Sequence, residues 1–288
     1  MIKTITYPYP VKQLQLPNDI SIAYMDEGKG AQTFVFIHGL ANYSPVWKLQ
    51  ISELGKHARC IALDLPGNGL SSQGDYPYGV FFYAECVKLF CDELNLEHVT
   101  LVGHSMGGQI AIMLGLRYSS QFDRLVLLAP AGIEHFSSMD ALLMQNMLGV
   151  GEFLYSDELH IQQAVSDSFY TSHAEKNNII SDLKAMLKQT NVKHWRQMSK
   201  ASINSMLNEQ VSGFLSELTI PVTLIFGDKD ALIPNKLLHP GQSIATLIKH
   251  AAAMIPDVKT YLLKNAGHFV QIEKAAEVNN IIINKATA

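Results

Sequence analysis

Long apolar runs are missing from this 288-residue sequence, as are runs of positive charge and any useful set of cysteines. No segment reaches the roughly 20 residues that cross a bilayer; Ile110 to Leu116, for example, stops at Arg117. Stable membrane insertion is therefore not expected. Met1 to Pro8 holds a lysine but no apolar stretch of signal-peptide length, so a cytoplasmic protein is the expectation. Lysine and arginine number 22 against 26 acidic residues, for a formal net charge of -4. Without a basic cluster to track a phosphate backbone, nucleic acid is not an expected partner. The cysteines number three. Cys86 and Cys91 lie five apart on a helical stripe and so diverge, while Cys60 sits in an apolar strand. No metal spacing results, and reduced, partly buried thiols are expected. Internal repeats and low-complexity tracts are absent too.

What is there is core. With 48% hydrophobic residues, the chain can bury one large interior without splitting in two. Val11 to Leu16 and Ile20 to Met25 alternate around a Pro17-Asn18-Asp19 turn, predicting an edge hairpin. Thr33 to Ile37 and Cys60 to Leu63 are continuous apolar runs, as in strands covered on both faces. Ser44 and Pro45 read as N-cap and first-turn proline of a helix carrying Val46, Trp47, Ile51 and Leu54. A second helical stripe starts at Val80, and further strands are read at Val99 to Val102, Arg124 to Ala129, Pro221 to Phe226 and Val258 to Leu263. This alternation predicts an α/β fold, a mostly parallel central sheet with helices on both faces and an active site at the strands' carboxyl ends. From Glu134 to about Leu218 only helical patterns occur. The expected organisation is a core of residues 1–133 and 218–288 with an inserted helical cap, 134–217.

The chain turns on Gly103-His104-Ser105-Met106-Gly107. A strand runs straight into a helix there, which strains the turn residue. Glycines two positions either side remove the Cβ atoms that would crowd it, and Ser105 projects its hydroxyl. The helix N-terminus brings free N–H groups to the place where an oxyanion would develop. A serine at its free pKa is a poor nucleophile and needs a base and a carboxylate that orients the base. Of eleven histidines, His268 follows the last strand in a small-residue loop at the same sheet end. His57, His98, His194 and His250 fall in or beside helical patterns, His104 sits in the turn itself, and His38, at a strand end, is the weaker rival. Gly227-Asp228-Lys229-Asp230 supplies two carboxylates at a strand end, and the order Ser, Asp, His suits the elbow motif.

Together, His38-Gly39 with Trp47 downstream, Asp64-x-Pro66-Gly67-x-Gly69-x-Ser71, Gly103-His104-Ser105-Met106-Gly107-Gly108, Gly227-x-x-Asp230 and Gly267-His268 resemble the α/β-hydrolase family over almost the whole chain. The resemblance is to its serine-nucleophile, esterase- and lipase-like branch. It implies Asp230 rather than Asp228 as triad acid, and an oxyanion hole of the Leu40 and Met106 backbone N–H groups. It implies a cofactor-free, metal-free hydrolase cleaving a small or acyl carboxylic ester through an acyl-enzyme. In similar proteins the same triad hydrolyses C–C bonds of ring-cleavage products, an alternative left open here. A ligand-binding protein on this fold is a third reading, opposed by the complete triad and both elbow glycines. Serine at the elbow argues against epoxide hydrolase and haloalkane dehalogenase relatives, which use aspartate there. The chain departs from the common pattern between Pro234 and Ser243, which looks long. Trp47 is expected in the core, Asp64 on loop backbone, and Phe269 either on substrate or as a loop anchor. Met139, Leu142, Leu143, Met144, Met147 and Leu148, then Phe153, Leu154 and Tyr155, give the cap more apolar positions than one docking face needs. Part of that surface is expected to line a pocket for an apolar ester.

Overall fold

The computed structural model describes residues 5–150, 157–189 and 192–283. β1 (Val11–Gln15) and β2 (Ser21–Glu27) form the antiparallel edge hairpin, Val11 opposite Met25. β2 pairs antiparallel with β4 (Arg59–Leu63). Every later pairing is parallel, through β3 (Thr33–Ile37), β5 (Val99–His104), β6 (Phe122–Leu128), β7 (Val222–Gly227) and β8 (Val258–Leu263). The sheet order is β1-β2-β4-β3-β5-β6-β7-β8. β3, β5 and β7 are buried at every residue, which is why they read as unbroken apolar runs rather than as alternation.

Helices α1 (Lys48–Leu54), α2 (Val80–Glu93) and α3 (Met106–Arg117) connect the first parallel strands. Between β6 and β7 the chain forms α4 (Ser138–Val150), α5 (Glu158–Ser168), α6 (Ala174–Gln189) and α7 (Val192–Asn208), then a 3-10 turn over Ser212–Glu217. α8 (Ile244–Met254), α9 (Val270–Glu273) and α10 (Ala275–Ile283) are the last helices among the described residues.

One helix start differs from the sequence reading. A 3-10 turn over Ser44–Trp47 precedes α1, and Ser44 lies inside it rather than capping it. The capping acceptor comes from outside: Asp64 Oδ1 accepts the Ser44 N–H at 2.8 Å. A carboxylate is the stronger acceptor for an orphan helix N–H, and the Ser44 hydroxyl is left buried without a partner. Trp47 is fully buried, its ring edge-on to His104.

The three cysteines are free and buried, and burial pushes each thiol up to about 12. They stay protonated and unreactive near neutral pH. Among the described residues no helix is long and apolar enough to cross a membrane.

Candidate active site

The elbow is strained as its sequence requires. Ser105 has φ 54 and ψ -120, a combination that side-chain-bearing residues avoid and that survives only where surroundings fix it. The fixing contacts are backbone: Ser105 donates to the Leu128 carbonyl at 3.0 Å, and its own carbonyl accepts from Gly108 and Ala131 at 2.9 and 3.0 Å. A Cβ on Gly103 would stand 2.3 Å from the Gly107 carbonyl oxygen, and one on Gly107 would stand 2.2 Å from that of Ile37. No larger residue fits at either place. Met106 opens α3, so its N–H has no intrahelical acceptor, and Leu40 lines the same cavity as Ser105.

His268 follows β8 in a buried loop and donates Nδ1–H to Asp230 Oδ2 at 2.9 Å. That bond fixes the tautomer with Nε2 as acceptor, on a residue that lines the cavity with Ser105. Among the described residues the Ser105 hydroxyl and His268 do not yet share a hydrogen bond, a contact that commonly tightens only with substrate bound. Asp230 Oδ1 is held by the N–H groups of Leu232 and Ile233 at 2.8 and 3.1 Å. Asp228 instead accepts the Asn265 N–H at 2.7 Å and lies 3.5 Å from the Lys229 ammonium. The geometry thus separates the two aspartates that spacing alone did not.

The other candidates have different partners. His38 is buried, with Nδ1 at 2.7 Å from the Gly39 carbonyl and Nε2 accepting the Leu65 N–H at 3.0 Å, so both ring nitrogens are occupied. Asp64 takes the N–H groups of Ser44 and Leu70 and the Tyr7 hydroxyl, tying loops together. His104 lies against His268, ring centres 4.8 Å apart, and donates Nε2–H to the His268 carbonyl at 3.0 Å. Burial holds its ring well below the usual imidazole range, and nearby His268 adds to the effect. A neutral His104 matters because a second imidazolium there would oppose any positive charge on His268. Phe269 both anchors and lines: it stacks on Phe169 at 4.8 Å and faces the cavity.

Glu273 was not singled out by sequence. Its Oε1 accepts the Gly267 N–H at 2.7 Å, and its Oε2 accepts the N–H groups of Tyr170 and Thr171 and the Thr171 hydroxyl, at 2.6 to 3.1 Å. The His268 N–H also donates to the Ser168 carbonyl at 2.8 Å. The histidine loop and the segment after α5 are therefore built as one unit.

Between sheet and helices lies a cavity of about 400 Å³, lined by residues from both, including Val165, Leu183, Ile203, Met206 and Leu207. Met144 lines it as well. Met139, Leu142 and Leu143 of the same helix are exposed and do not line it, so only part of that apolar stretch reaches the site. The side chains of Met147 and Leu148, and residues Phe153, Leu154 and Tyr155, lie outside the described residues. Among the described residues no group of three or more His, Cys, Asp and Glu side chains could hold a metal ion.

Comparison with known proteins identifies the family and the fold. A family model described as the alpha/beta hydrolase fold matches residues 32–275. The dihydrolipoyllysine-residue acetyltransferase component of the acetoin cleaving system of Cupriavidus necator is 26% identical over 272 residues, covering 91% of this chain but 66% of that protein. The chain thus spans just under two thirds of that relative's length. The (E)-2-((N-methylformamido)methylene)succinate hydrolase of Acinetobacter baylyi is 26% identical over 273 residues, covering 93% of this chain and 95% of that protein. A thermophilic esterase from Thermogutta terrifontis shares the fold, with TM-score 0.77, 20% identity and coverage of 96% of this chain and 98% of that one.

Proposed function

The chain belongs to the α/β-hydrolase fold family, and from that premise we propose that it is a hydrolase that cleaves a small or acyl carboxylic ester through a Ser105-His268-Asp230 triad. The observation that carries the reading is the Asp230–His268 bond at 2.9 Å beside the strained Ser105 elbow, with Ser105 and His268 on one cavity. Ser105 Oγ attacks the ester carbonyl carbon while His268 Nε2 takes its proton. The N–H groups of Leu40 and Met106 receive the developing oxyanion. Collapse expels the alcohol, which takes the proton back from His268. Water then adds to the acyl-enzyme, giving its proton to His268, and the acid leaves as Ser105 is reprotonated. The helices between β6 and β7 act as a cap that excludes water and supplies the apolar wall.

Turnover of para-nitrophenyl esters from acetate upward tests this. Each buried methylene contributes about 0.8 kcal/mol, so kcat/KM is expected to rise a few-fold per carbon until the cavity is full. Met144→Ser is expected to flatten that rise while sparing acetate. A profile that falls steadily from acetate and ignores Met144→Ser would contradict an apolar acyl site. A vinylogous diketone in the same panel tests C–C cleavage, for which no separate feature of the site speaks.

Glu273 is a positioning residue in this reading. Glu273→Ala removes the shared acceptor for four donors, so kcat is expected to drop at least about tenfold, with KM little changed and the lower limb of the pH–rate profile displaced. Glu273→Gln should recover part of the loss. A fall in melting temperature with kcat and pH profile intact would make Glu273 purely structural.

A further inference from the structure

Cavities that accept anionic substrates carry a cation to meet them, and this one carries the opposite charge. Apart from the imidazoles of His104 and His268, its ionisable lining residues are Glu134 and Asp167. Asp167 is exposed and bound by Gln163. Glu134 is buried in the wall at the start of the cap. Both its oxygens accept the Asn235 N–H, at 3.0 and 2.9 Å, and Oε1 also meets His239 Nδ1. His239 stacks on Phe136, another lining residue, and its Nε2 lies 3.8 Å from Asp140 Oδ2. One imidazole thus stands between two carboxylates, so even a protonated His239 leaves this cluster with an excess of negative charge.

No lysine or arginine is found among the described lining residues. The sequence has no lysine or arginine at 151–156 or 190–191, which lie outside the described residues. Lys193, Arg196 and Lys200 of α7 are exposed and do not line the cavity. The stretch Asn235 to Gly241, which the sequence marks as a departure from its family, is what brings Asn235 and His239 against Glu134.

We infer that the site is restricted to esters that are uncharged on both sides of the scissile bond, and that Glu134 is the residue that sets the restriction. A carboxylate carried into this cavity is stripped of water, finds no cation, and faces a like charge. A methyl group in its place gains by burial. This inference rests on the ester-hydrolase reading and adds the charge class of its substrate.

The test uses matched substrates with the full-length chain near neutral pH. On the acyl side, para-nitrophenyl pentanoate is compared with mono-para-nitrophenyl glutarate and with methyl para-nitrophenyl glutarate, in which the carboxylate is capped. On the alcohol side, phenyl pentanoate is compared with para-carboxyphenyl pentanoate. Each anionic ester is expected to show kcat/KM lower by about 100-fold or more than its neutral partner, and the capped glutarate to lie within about tenfold of the pentanoate. Glu134→Gln, which keeps an acceptor for Asn235, is expected to narrow the pentanoate-to-glutarate ratio by about tenfold. Should Glu134→Gln fail to fold, Met144→Lys, which places a cation on the lining, is expected to shift the same ratio toward glutarate. Comparable rates for charged and neutral esters, or a capped glutarate as poor as the acid, would overturn the charge restriction. An unaltered ratio in Glu134→Gln would overturn the role of Glu134. Failure to hydrolyse even the neutral esters would instead remove the ester reading beneath it.

Discussion

Replacing Ser105 by alanine is expected to abolish hydrolysis of para-nitrophenyl esters, with kcat reduced on the order of 10⁵- to 10⁶-fold, while the melting temperature stays within about 2 °C of the parent. The two halves of that expectation have separate causes. The hydroxyl is the only atom group removed, and in the proposed mechanism its loss leaves His268 with nothing to activate. The backbone bonds that impose φ 54 and ψ -120 run from Ser105 N–H and carbonyl to Leu128, Gly108 and Ala131, and alanine keeps all of them. Kinetics with a sensitive aryl ester, read beside thermal melting, checks both. An alanine variant within tenfold of the parent would remove Ser105 from the chemistry.

The second large effect separates two aspartates a single residue apart. Asp230→Asn is expected to cost on the order of 10⁴ in kcat, and Asp228→Asn less than about tenfold. An asparagine at 230 can still accept the Leu232 and Ile233 N–H groups through its oxygen. Its amide nitrogen then faces His268 Nδ1, favours the wrong tautomer, and leaves Nε2 protonated toward Ser105. At 228 the contact is with the Asn265 N–H, and asparagine retains an oxygen acceptor. Equal losses in the two variants, measured as kcat at saturating ester, would show that the assignment of the acid is wrong.

The parts of the molecule that were readable from sequence are those written into local pattern. β3 and β5 show as unbroken apolar runs because both faces are covered, and the elbow shows because its two glycines are demanded by contacts closer than a Cβ allows. The parts that were hidden depend on residues distant in the chain. Ser44 has the right type for a cap, yet Asp64, twenty residues on, provides the acceptor. Glu273 joins Gly267 to Tyr170 and Thr171, about a hundred residues away, and nothing in a short window hints at it. Glu134 and His239 are likewise 105 residues apart. α4 is a different failure: apolar on most sides, it offers no periodicity to say which face turns inward. Only the structure shows Met144 on the cavity and Met139 turned out, 70% exposed.

His104 illustrates why position in a motif does not give a role. Its place beside Ser105 in a tight turn does not let its ring fold back readily on the hydroxyl. Its hydrogen bond to the His268 carbonyl depends on how the loop after β8 folds over β5, which spacing cannot supply.

The central claim is that Ser105 is a nucleophile activated by His268 and oriented by Asp230. Its most direct test is to react the protein with a fluorophosphonate, digest it, and locate the adduct by mass spectrometry. The account predicts one phosphonyl group per chain, carried by Ser105, with labelling strongly slowed in the Asp230→Asn variant. A label on another residue, or an unlabelled chain that nevertheless hydrolyses esters, would contradict it.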